Sequence, residues 1–491
     1  MGLNEILLLA TLGAPLLAAL ALAVFPKPLR RAAGWIAGAS AALSLLSVLA
    51  LLPALRGGQT PALNWRWIPD AGIAFSLQAD WLTLPFLVTE AVVTLAAILY
   101  SWGYHKTDER TPYFYALLLV FAVGMSGTTV ADNMFLFYIF WELMLVASCV
   151  LILVWGEGER RSGIALKYFI FTHVGSLMVL VGLLLLYGAT GSDSFAVLRA
   201  GQWALAPGMV STVTALFIIG FCVKMAIFPV HLWLPDAHTV APMPVTIMLA
   251  AAMLSMGAYG ILRFPMSLFS AEQLLPFAVP MMVAGIISEI YGALMALAEQ
   301  DVKRIVAYSS VSQMGYILFG LGTLTHDGVV GATLHVIYHA IVKALLFMIM
   351  GLVIRATGRR RIGELGGLGR ALPGIAICAA IGALGIAGMP PLGIFTSEWM
   401  IFSGGFHTTH IGLSVATLFG SLLTVVYALL LVGRIFLGEQ PEGLKVSTLP
   451  RAMVLSTVVM TALLIVEGLL PAPLFDWAEH ELLLLLGGAF L

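Results

Sequence analysis

Charge is what this sequence has least of. Only 10% of its 491 residues are Asp, Glu, Lys or Arg, where a soluble globular chain carries about 25%. So few charges exclude an ordinary water-soluble domain. The formal net charge is −1, which leaves no basic surface for a nucleic-acid partner. Cysteine is scarce too. Cys149, Cys222 and Cys378 all lie in apolar segments, and none are at C-x-x-C spacing. That argues against a disulfide framework or a zinc site and for small core residues. No low-complexity tail and no soluble stretch of domain length is present. Any electron-transfer or nucleotide chemistry is therefore expected on other chains, with no cofactor held here.

What is abundant is apolar surface, at 60% of residues, gathered in runs. A span needs about 20 predominantly apolar residues. Fourteen candidates follow, at 4–24, 32–53, 79–102, 113–130, 133–154, 163–187, 209–228, 241–264, 273–298, 304–323, 328–355, 373–402, 409–436 and 450–471. The fold class is thus an all-α polytopic membrane protein, and residues 1–491 read as a single transmembrane domain. The 54–78 linker reads as structureless, and 192–200 as a short interfacial helix. The basic cluster Lys27, Arg30 and Arg31 follows the first apolar run; a cleavable signal would carry it before. The first run is expected to stay as a span. Position 6 is not Ser or Thr, so the Met-Gly start gives no support for myristoylation.

Loop charge sets orientation. With the N-terminus outside, odd-numbered loops hold 18 of the 24 Lys and Arg residues. Even-numbered loops hold Arg56, Arg66, Arg199 and Arg263, and Lys224 and Lys343 fall inside spans. Both termini are expected outside and the basic loops in the cytoplasm.

The few charges inside spans carry the functional signal. An ionisable group at mid-bilayer costs about 2.5–3.5 kcal/mol on insertion scales. Here Glu90, Glu142, Lys224, Glu289, His335, His339, Lys343 and Glu398 all lie within spans. Their combined cost points to a shared, hydrated and paired interior track rather than to separate accidents. Glu142, near mid-span in NMFLFYIFWELMLVAS, is expected to pair with Lys224 if their helices pack together. Such a pair favours the charged ammonium while burial favours the neutral amine. The balance makes Lys224 adjustable, although a static structural salt bridge fits the same residues. His335, His339 and Lys343 repeat at i, i+4 and i+8, which puts them on one helix face over about 12 Å of height. The stripe suits proton hopping or a packed hydrogen-bonding seam. Metal binding lacks a further ligand at suitable spacing. Glu90 faces either the track or a partner subunit.

Two spans contain breakers. In GFCVKMAIFPVHLWLPDAH, Pro229 interrupts the seventh span just after Lys224. In GALGIAGMPPLGIFTSEW, Gly388, Pro390, Pro391 and Gly393 precede Glu398. Broken helices are tolerated in a bilayer where they line a protein-buried or wet cavity. They fall in spans of opposite direction, as in inverted-repeat transporters. The tail HLWLPDAH reads as lying at the cytoplasmic surface, with Trp233 in an interfacial belt and Asp236 capping the next helix. His231 and His238 are candidates for proton uptake or for locking the loop.

Together FYIFWELM, ALKYFIFTHVGS, VKMAIFPVHLWLPDAH, MGAYGILRF, ALAEQDVKRIVAYSSVSQMGY, HVIYHAIVKALLF and GMPPLGIFTSEW resemble the antiporter-like membrane subunits of respiratory complex I. The wider family includes multisubunit cation/proton antiporters and membrane-bound hydrogenases. The resemblance covers nearly the whole chain. It implies fourteen helices, with two inverted five-helix repeats at 113–264 and 273–436, flanked by helices 1–3 at 1–112 and helix 14 at 450–472. It implies discontinuous seventh and twelfth helices. It implies a proton relay through Glu142, Lys224, His335, His339, Lys343 and Glu398. Two positions depart from it. Ser255 stands where many relatives carry lysine, and Glu289 stands where an apolar residue is expected. Glu289 either relocates the relay or contacts a neighbouring subunit.

The expected function is proton translocation within a redox-driven complex of a bacterial or archaeal cytoplasmic membrane, the chain itself having no catalytic chemistry. Partners would be other membrane subunits, including paralogous antiporter-like chains, and a peripheral module bearing Fe–S, NiFe or flavin groups. Protons or Na+ would be the ions carried and lipid the surroundings. The acidic Glu398 leans towards complex I and hydrogenase-type relatives. The alternatives are a subunit of a multisubunit Na+/H+ antiporter and a non-conducting scaffold for a catalytic partner.

Overall fold

A bilayer leaves a backbone no water to bond, so apolar runs of this length must close their hydrogen bonds internally, as helices. The structure, a computed structural model, describes residues 2–68, 73–105, 107–199 and 205–478. Among them, 13 helices are long and apolar enough to cross a membrane. They are α1 (Leu3–Val24), α2 (Ala33–Arg56), α3 (Thr83–Tyr104), α4 (Thr111–Val130), α5 (Met134–Trp155), α6 (Arg161–Thr190), α7a (Pro207–Met225), α8 (Met243–Met266), α9 (Ala271–Ala298), α10 (Val302–Gly322), α11 (His326–Thr357), α13 (Ile411–Phe436) and α14 (Arg451–Leu469). The twelfth of the fourteen expected spans is split into α12a (Pro373–Ile386) and α12b (Gly393–Phe406). Short helices at Leu234–Val240 (α7b) and Phe195–Arg199 complete the parts that matter here. The second is a short helix within the stretch where one was expected, 192–200.

The bundle has a protein-buried centre and an apolar rim. Helices α8 and α10 are buried along their hydrophobic length and α11 nearly so, whereas α1, α6, α13 and α14 are less than half buried. Two π-helical turns, Leu249–Met253 and Leu262–Met266, bracket the middle of α8.

The 54–78 linker is not structureless. Strand β1 (Ala62–Ile68) pairs antiparallel with β2 (Ile73–Gln78), with Trp65 opposite Phe75. Leu63 and Leu77 turn inward, and Asn133 donates from Nδ2 to Ser76 Oγ at 3.0 Å. Strands this short give a weak periodic signal beside 20-residue helices, which is why the sequence reading passed over them.

Both expected helix breaks are present. The first comes earlier than Pro229. Helix α7a ends at Met225, and Ala226 adopts the left-handed conformation at φ 55°. Proline has no N–H to return to the carbonyl four residues upstream, and it disfavours helix at the residue before it. The helix therefore stops ahead of the proline. Trp233 is fully buried and its indole N–H donates to the Val223 carbonyl at 3.0 Å. It ties the break shut rather than sitting in an interfacial belt. His231 and His238 are buried as well, so the HLWLPDAH tail is folded into the protein, not laid on its surface. In the second break, Gly388 adopts φ 63°. A Cβ there would lie 2.3 Å from Glu398 Oε2, so glycine serves both the turn and the space of the carboxylate.

Ionic clamps close each face. On the basic face, Asp236 bonds Lys167 at 2.9 Å and Arg304 at 2.8 Å, Arg304 also bonds Glu299 at 2.8 Å, and Arg360 reaches Glu157 at 3.0 Å and Asp301 at 3.1 Å. Asp236 thus pins α7b to α6 and α10; it does not cap the following helix. On the opposite face, Asp80 holds Arg263 through two bonds of 2.6 and 3.0 Å. Arg263 also donates to Tyr259 at 2.9 Å and to Thr83 at 2.8 Å, and Tyr259 donates to the Thr129 carbonyl at 2.6 Å. Arg263, counted above with loop charges, is buried within α8. Burial alone would push the Asp80 carboxyl up, but the Arg263 guanidinium outweighs it and holds it down at about 2.

Asp80→Ala would leave the Arg263 guanidinium buried without its counter-charge, at an expected cost of about 3–5 kcal/mol. Thermal unfolding in detergent measures it, and an unchanged midpoint would show that the clamp carries no stability. Because the folded value is depressed, the contribution is full above the ordinary carboxylate value of about 3.9 and is lost as pH falls through about 2. The wild-type midpoint should therefore show no loss from this pair between neutral pH and about pH 4.

Candidate functional site

The sequence-predicted charges fall into groups that the helices bring together unevenly. Glu142 on α5 does not form the expected pair with Lys224. Its carboxylate meets His173 Nδ1 on α6 at 3.2 Å, and no ion pair joins it to Lys224 among the described residues. The Glu142 and His173 side chains are 21% and 36% exposed, so this pair opens to the side of the chain. Lys224, one residue from the end of α7a, is buried. Its ammonium lies 5.0 Å from the centre of the Trp141 ring and has no hydrogen-bond partner. The helix end and the indole lie against it, and the Glu142 carboxylate stands within electrostatic reach without closing to an ion pair.

The α11 stripe is wholly buried, and its three members differ. Lys343 donates to the Val306 carbonyl at 3.2 Å and to Ser309 Oγ, both on α10. His339 has no partner at either ring nitrogen. His335 is held at both, by Ser397 Oγ and Gln313 Oε1, each at 3.0 Å. Ser397 precedes Glu398, so one hydrogen bond couples the end of the stripe to α12b. Glu398 meets Ser421 Oγ on α13 at 3.4 Å. A cleft of roughly 460 Å³, lined by Glu398, Ser421, Ser403 and Trp399 among others, opens beside it.

Towards the basic face, His238 lies within electrostatic reach of Lys343 and Lys303, and its ring packs edge-on to Phe347 with centroids 5.6 Å apart. His231 packs on Tyr291 at 4.8 Å. Neither imidazole has a hydrogen-bond partner. Ser255 bonds the Ala251 carbonyl of its own helix at 2.9 Å and lines a small cavity with Glu90, Val336 and Ile337. Glu90 is buried and accepts from Thr129 at 3.3 Å. It faces inward, which rules out the partner-facing alternative. Glu289 is likewise fully buried, so it cannot be a contact with a neighbouring subunit.

His173 is the residue that the sequence reading missed. It lies inside the sixth span, and the criterion applied to His335 and His339 would have selected it. Gln313, Ser309 and Ser397 were beyond reach, because neutral polar residues in spans most often bond their own helix, as Ser148 and Thr128 do here.

A buried centre, two helices broken inside it and titratable groups turned inward define an integral membrane protein built to carry charge through its interior. Comparison with known proteins gives the family. Residues 131–424 match the NADH:quinone oxidoreductase/Mrp antiporter transmembrane family, and 65–115 match the N-terminus of chain 5 of NADH-ubiquinone oxidoreductase (complex I). The chain is 34% identical over 431 residues to NADH-quinone oxidoreductase subunit M of Escherichia coli (strain K12), covering 85% of this chain and 83% of that one. Its fold is similar to a chain of respiratory complex I from Thermus thermophilus, with a TM-score of 0.86, 25% identity and coverage of 98% and 100%. It is also similar to a chain of the Mrp complex from Dietzia sp. DQ12-45-1b, with a TM-score of 0.87, 22% identity and coverage of 99% and 98%. This chain belongs to the NADH:quinone oxidoreductase/Mrp antiporter family and is an antiporter-like membrane subunit.

The geometry at Lys224 separates a structural role from a functional one. Removing one half of a buried ion pair destabilises strongly, whereas removing an unpaired buried charge does not. Lys224→Met should leave the unfolding midpoint of the detergent-purified complex unchanged or raised. A drop of several degrees would mean that Lys224 is a structural cation after all.

Proposed function

We propose that this chain translocates protons as the antiporter-like subunit of a redox-driven membrane complex. The observation that carries the reading is that two of the three buried lysines, Lys224 and Lys343, have no ion-pair partner within 4.0 Å among the described residues, whereas the third, Lys303, meets Glu157 at 4.0 Å. A lysine kept for stability would be paired, and an unpaired one in a membrane interior marks a transport path. Its protonation is then open to control by any charge that moves nearby.

In the proposed cycle a proton enters from the basic face, which is cytoplasmic, near Asp236, His231 and His238. It passes along Lys343 and His339 to His335, and leaves towards the opposite face through Glu398 and its cleft. The Glu142–His173 pair opens sideways, where a neighbouring membrane subunit would cover it, and is the natural receiver of a charge shift from the rest of the complex. That shift changes the field at Lys224 and drives its proton on. Moving one charge against 100 mV takes about 2.3 kcal/mol, less than the roughly 2.5–3.5 kcal/mol cost of one unpaired ammonium at mid-bilayer. Reversible pairing of one lysine is therefore enough to power one step. The electron carriers, Fe–S, NiFe or flavin groups, would belong to partner subunits.

The test starts from the complex purified through this chain in mild detergent. Mass spectrometry is expected to find iron–sulfur, nickel–iron or flavin subunits alongside it. Proton uptake by membrane vesicles, driven by the complex's own reaction, is then expected to fall roughly 100-fold in Lys224→Ala and Glu142→Ala, with assembly intact. Normal proton transport by both assembled variants would overturn the reading. Co-purification of only paralogous antiporter-like chains, with sodium-dependent flux, would instead make it part of a secondary Na+/H+ antiporter. Loss of assembly without loss of flux per complex would make it a scaffold.

A further inference from the structure

Glu289 is the titratable group that this mechanism leaves unused. It sits on α9, fully buried, and neither carboxylate oxygen has a hydrogen-bond partner among the described residues. Space is reserved for it. A Cβ at Gly420 on α13 would fall 1.7 Å from Glu289 Oε1, so any residue larger than glycine there would displace the carboxylate. The neighbouring residue, Ser421, is the one that donates to Glu398 at 3.4 Å. Two carboxyl groups from two different helices thus converge on adjacent residues of α13, and each lies in the other's electrostatic reach.

The groups facing Glu289 connect it to the α11 stripe. From α10 comes Tyr316, whose hydroxyl feels both Glu289 and Glu398, bonds Thr424 of α13 at 3.3 Å, and whose ring stacks on His335 at 5.7 Å. From α12b comes Glu398. From α13 come Thr424 and Tyr427; the Tyr427 hydroxyl is buried without a partner and lies in reach of Glu398. No arginine, lysine or metal-binding trio neutralises this pair among the described residues. Two unneutralised carboxylates buried together would repel strongly; one proton held between them removes the conflict.

We propose that Glu289 and Glu398 form a proton-sharing acid pair at the outer end of the pathway, with Glu289 taking the proton from the His335–Tyr316 side and Glu398 releasing it to the cleft. Atoms balance simply: the O–H bond of one carboxylic acid breaks as that of the other forms, and one proton leaves for each that arrives. This rests on the proton-translocating reading above. It gives the chain a second outer acid in addition to Glu398.

The test measures protons translocated per turnover of the intact complex in proteoliposomes, using Glu289→Gln, Glu289→Asp, Gly420→Ala and Glu398→Gln. Gln keeps the size and cannot exchange a proton, so a roughly ten-fold or greater fall in that ratio is expected, with the complex assembled. Asp, which keeps the acid, should restore part of it. Gly420→Ala should reproduce the Gln defect by displacing the carboxylate; should that variant not fold, the Gln and Asp pair decides alone. A wild-type ratio in Glu289→Gln overturns the proposal, as does an equal defect in Gln and Asp, which marks a packing role. If Glu398→Gln abolishes translocation while Glu289→Gln does not, the inference fails and the pathway stands. If wild-type proteoliposomes translocate nothing, the functional reading itself fails.

Discussion

The cost of an ion in hydrocarbon governs how this molecule is built. Lipid offers neither water nor counter-ion, so each charge inside the bilayer must find a partner or be given a reason to lack one. Both solutions are present, and they are segregated. Ions that hold the fold are paired at the two faces, as Asp236 with Lys167 and Arg304, and Asp80 with Arg263. Ions between the faces, Lys224 and Lys343, form no ion pair among the described residues. Paired charges resist change because breaking them is expensive; unpaired ones have no partner that fixes their charged form. The same penalty therefore yields rigidity at the ends and responsiveness in the middle.

That segregation also explains why the helices break where they do. A continuous helix offers a buried lysine only side chains. An interrupted one offers free backbone ends and room. Helix α7a stops one residue beyond Lys224, and the freed Phe228 N–H is taken up by Ser288 Oγ on α9 at 2.9 Å. The second break, residues 387–392, ends six residues before Glu398, and Gly388 within it makes space for the carboxylate. Each break is held by specific bonds, Trp233 to Val223 in the first and the Gly388 turn in the second. They are fixed openings, not weak points.

Much of the fold was legible because long apolar runs have one solution in lipid. The span count, the two breaks, the split twelfth span and the inward placement of the α11 stripe all follow from composition and from a few prolines and glycines. The misreadings share one physical origin, which is that sequence shows depth poorly and partners not at all. Glu142 and Lys224 were paired on sign, yet pairing needs facing side chains, and His173 was nearer. Trp233 was put at the interface because indoles favour it; here the N–H found a buried carbonyl instead. The β1–β2 hairpin was passed over because six- and seven-residue strands carry little periodic signal.

The two positions that depart from the resemblance make sense together. Where the resemblance implies a lysine on α8, this chain has Ser255, whose hydroxyl is spent on its own helix. Helix α8 therefore brings no lysine to the middle of the bundle; its only charged residue, Arg263, is locked to Asp80 at one face. In the proposed cycle, exchange through the centre then rests on α11, running along the stripe from Lys343 to His335 rather than across from α8. A path along one helix delivers its proton at one end, beside Ser397 and Tyr316. Glu289 stands at that end, with its carboxylate seated over Gly420. Removing a base from the centre weakens the capture of protons there, and adding an acid at the outlet strengthens their withdrawal. The proposed relay keeps its drive by moving the group that holds the proton from the middle of the path to its end.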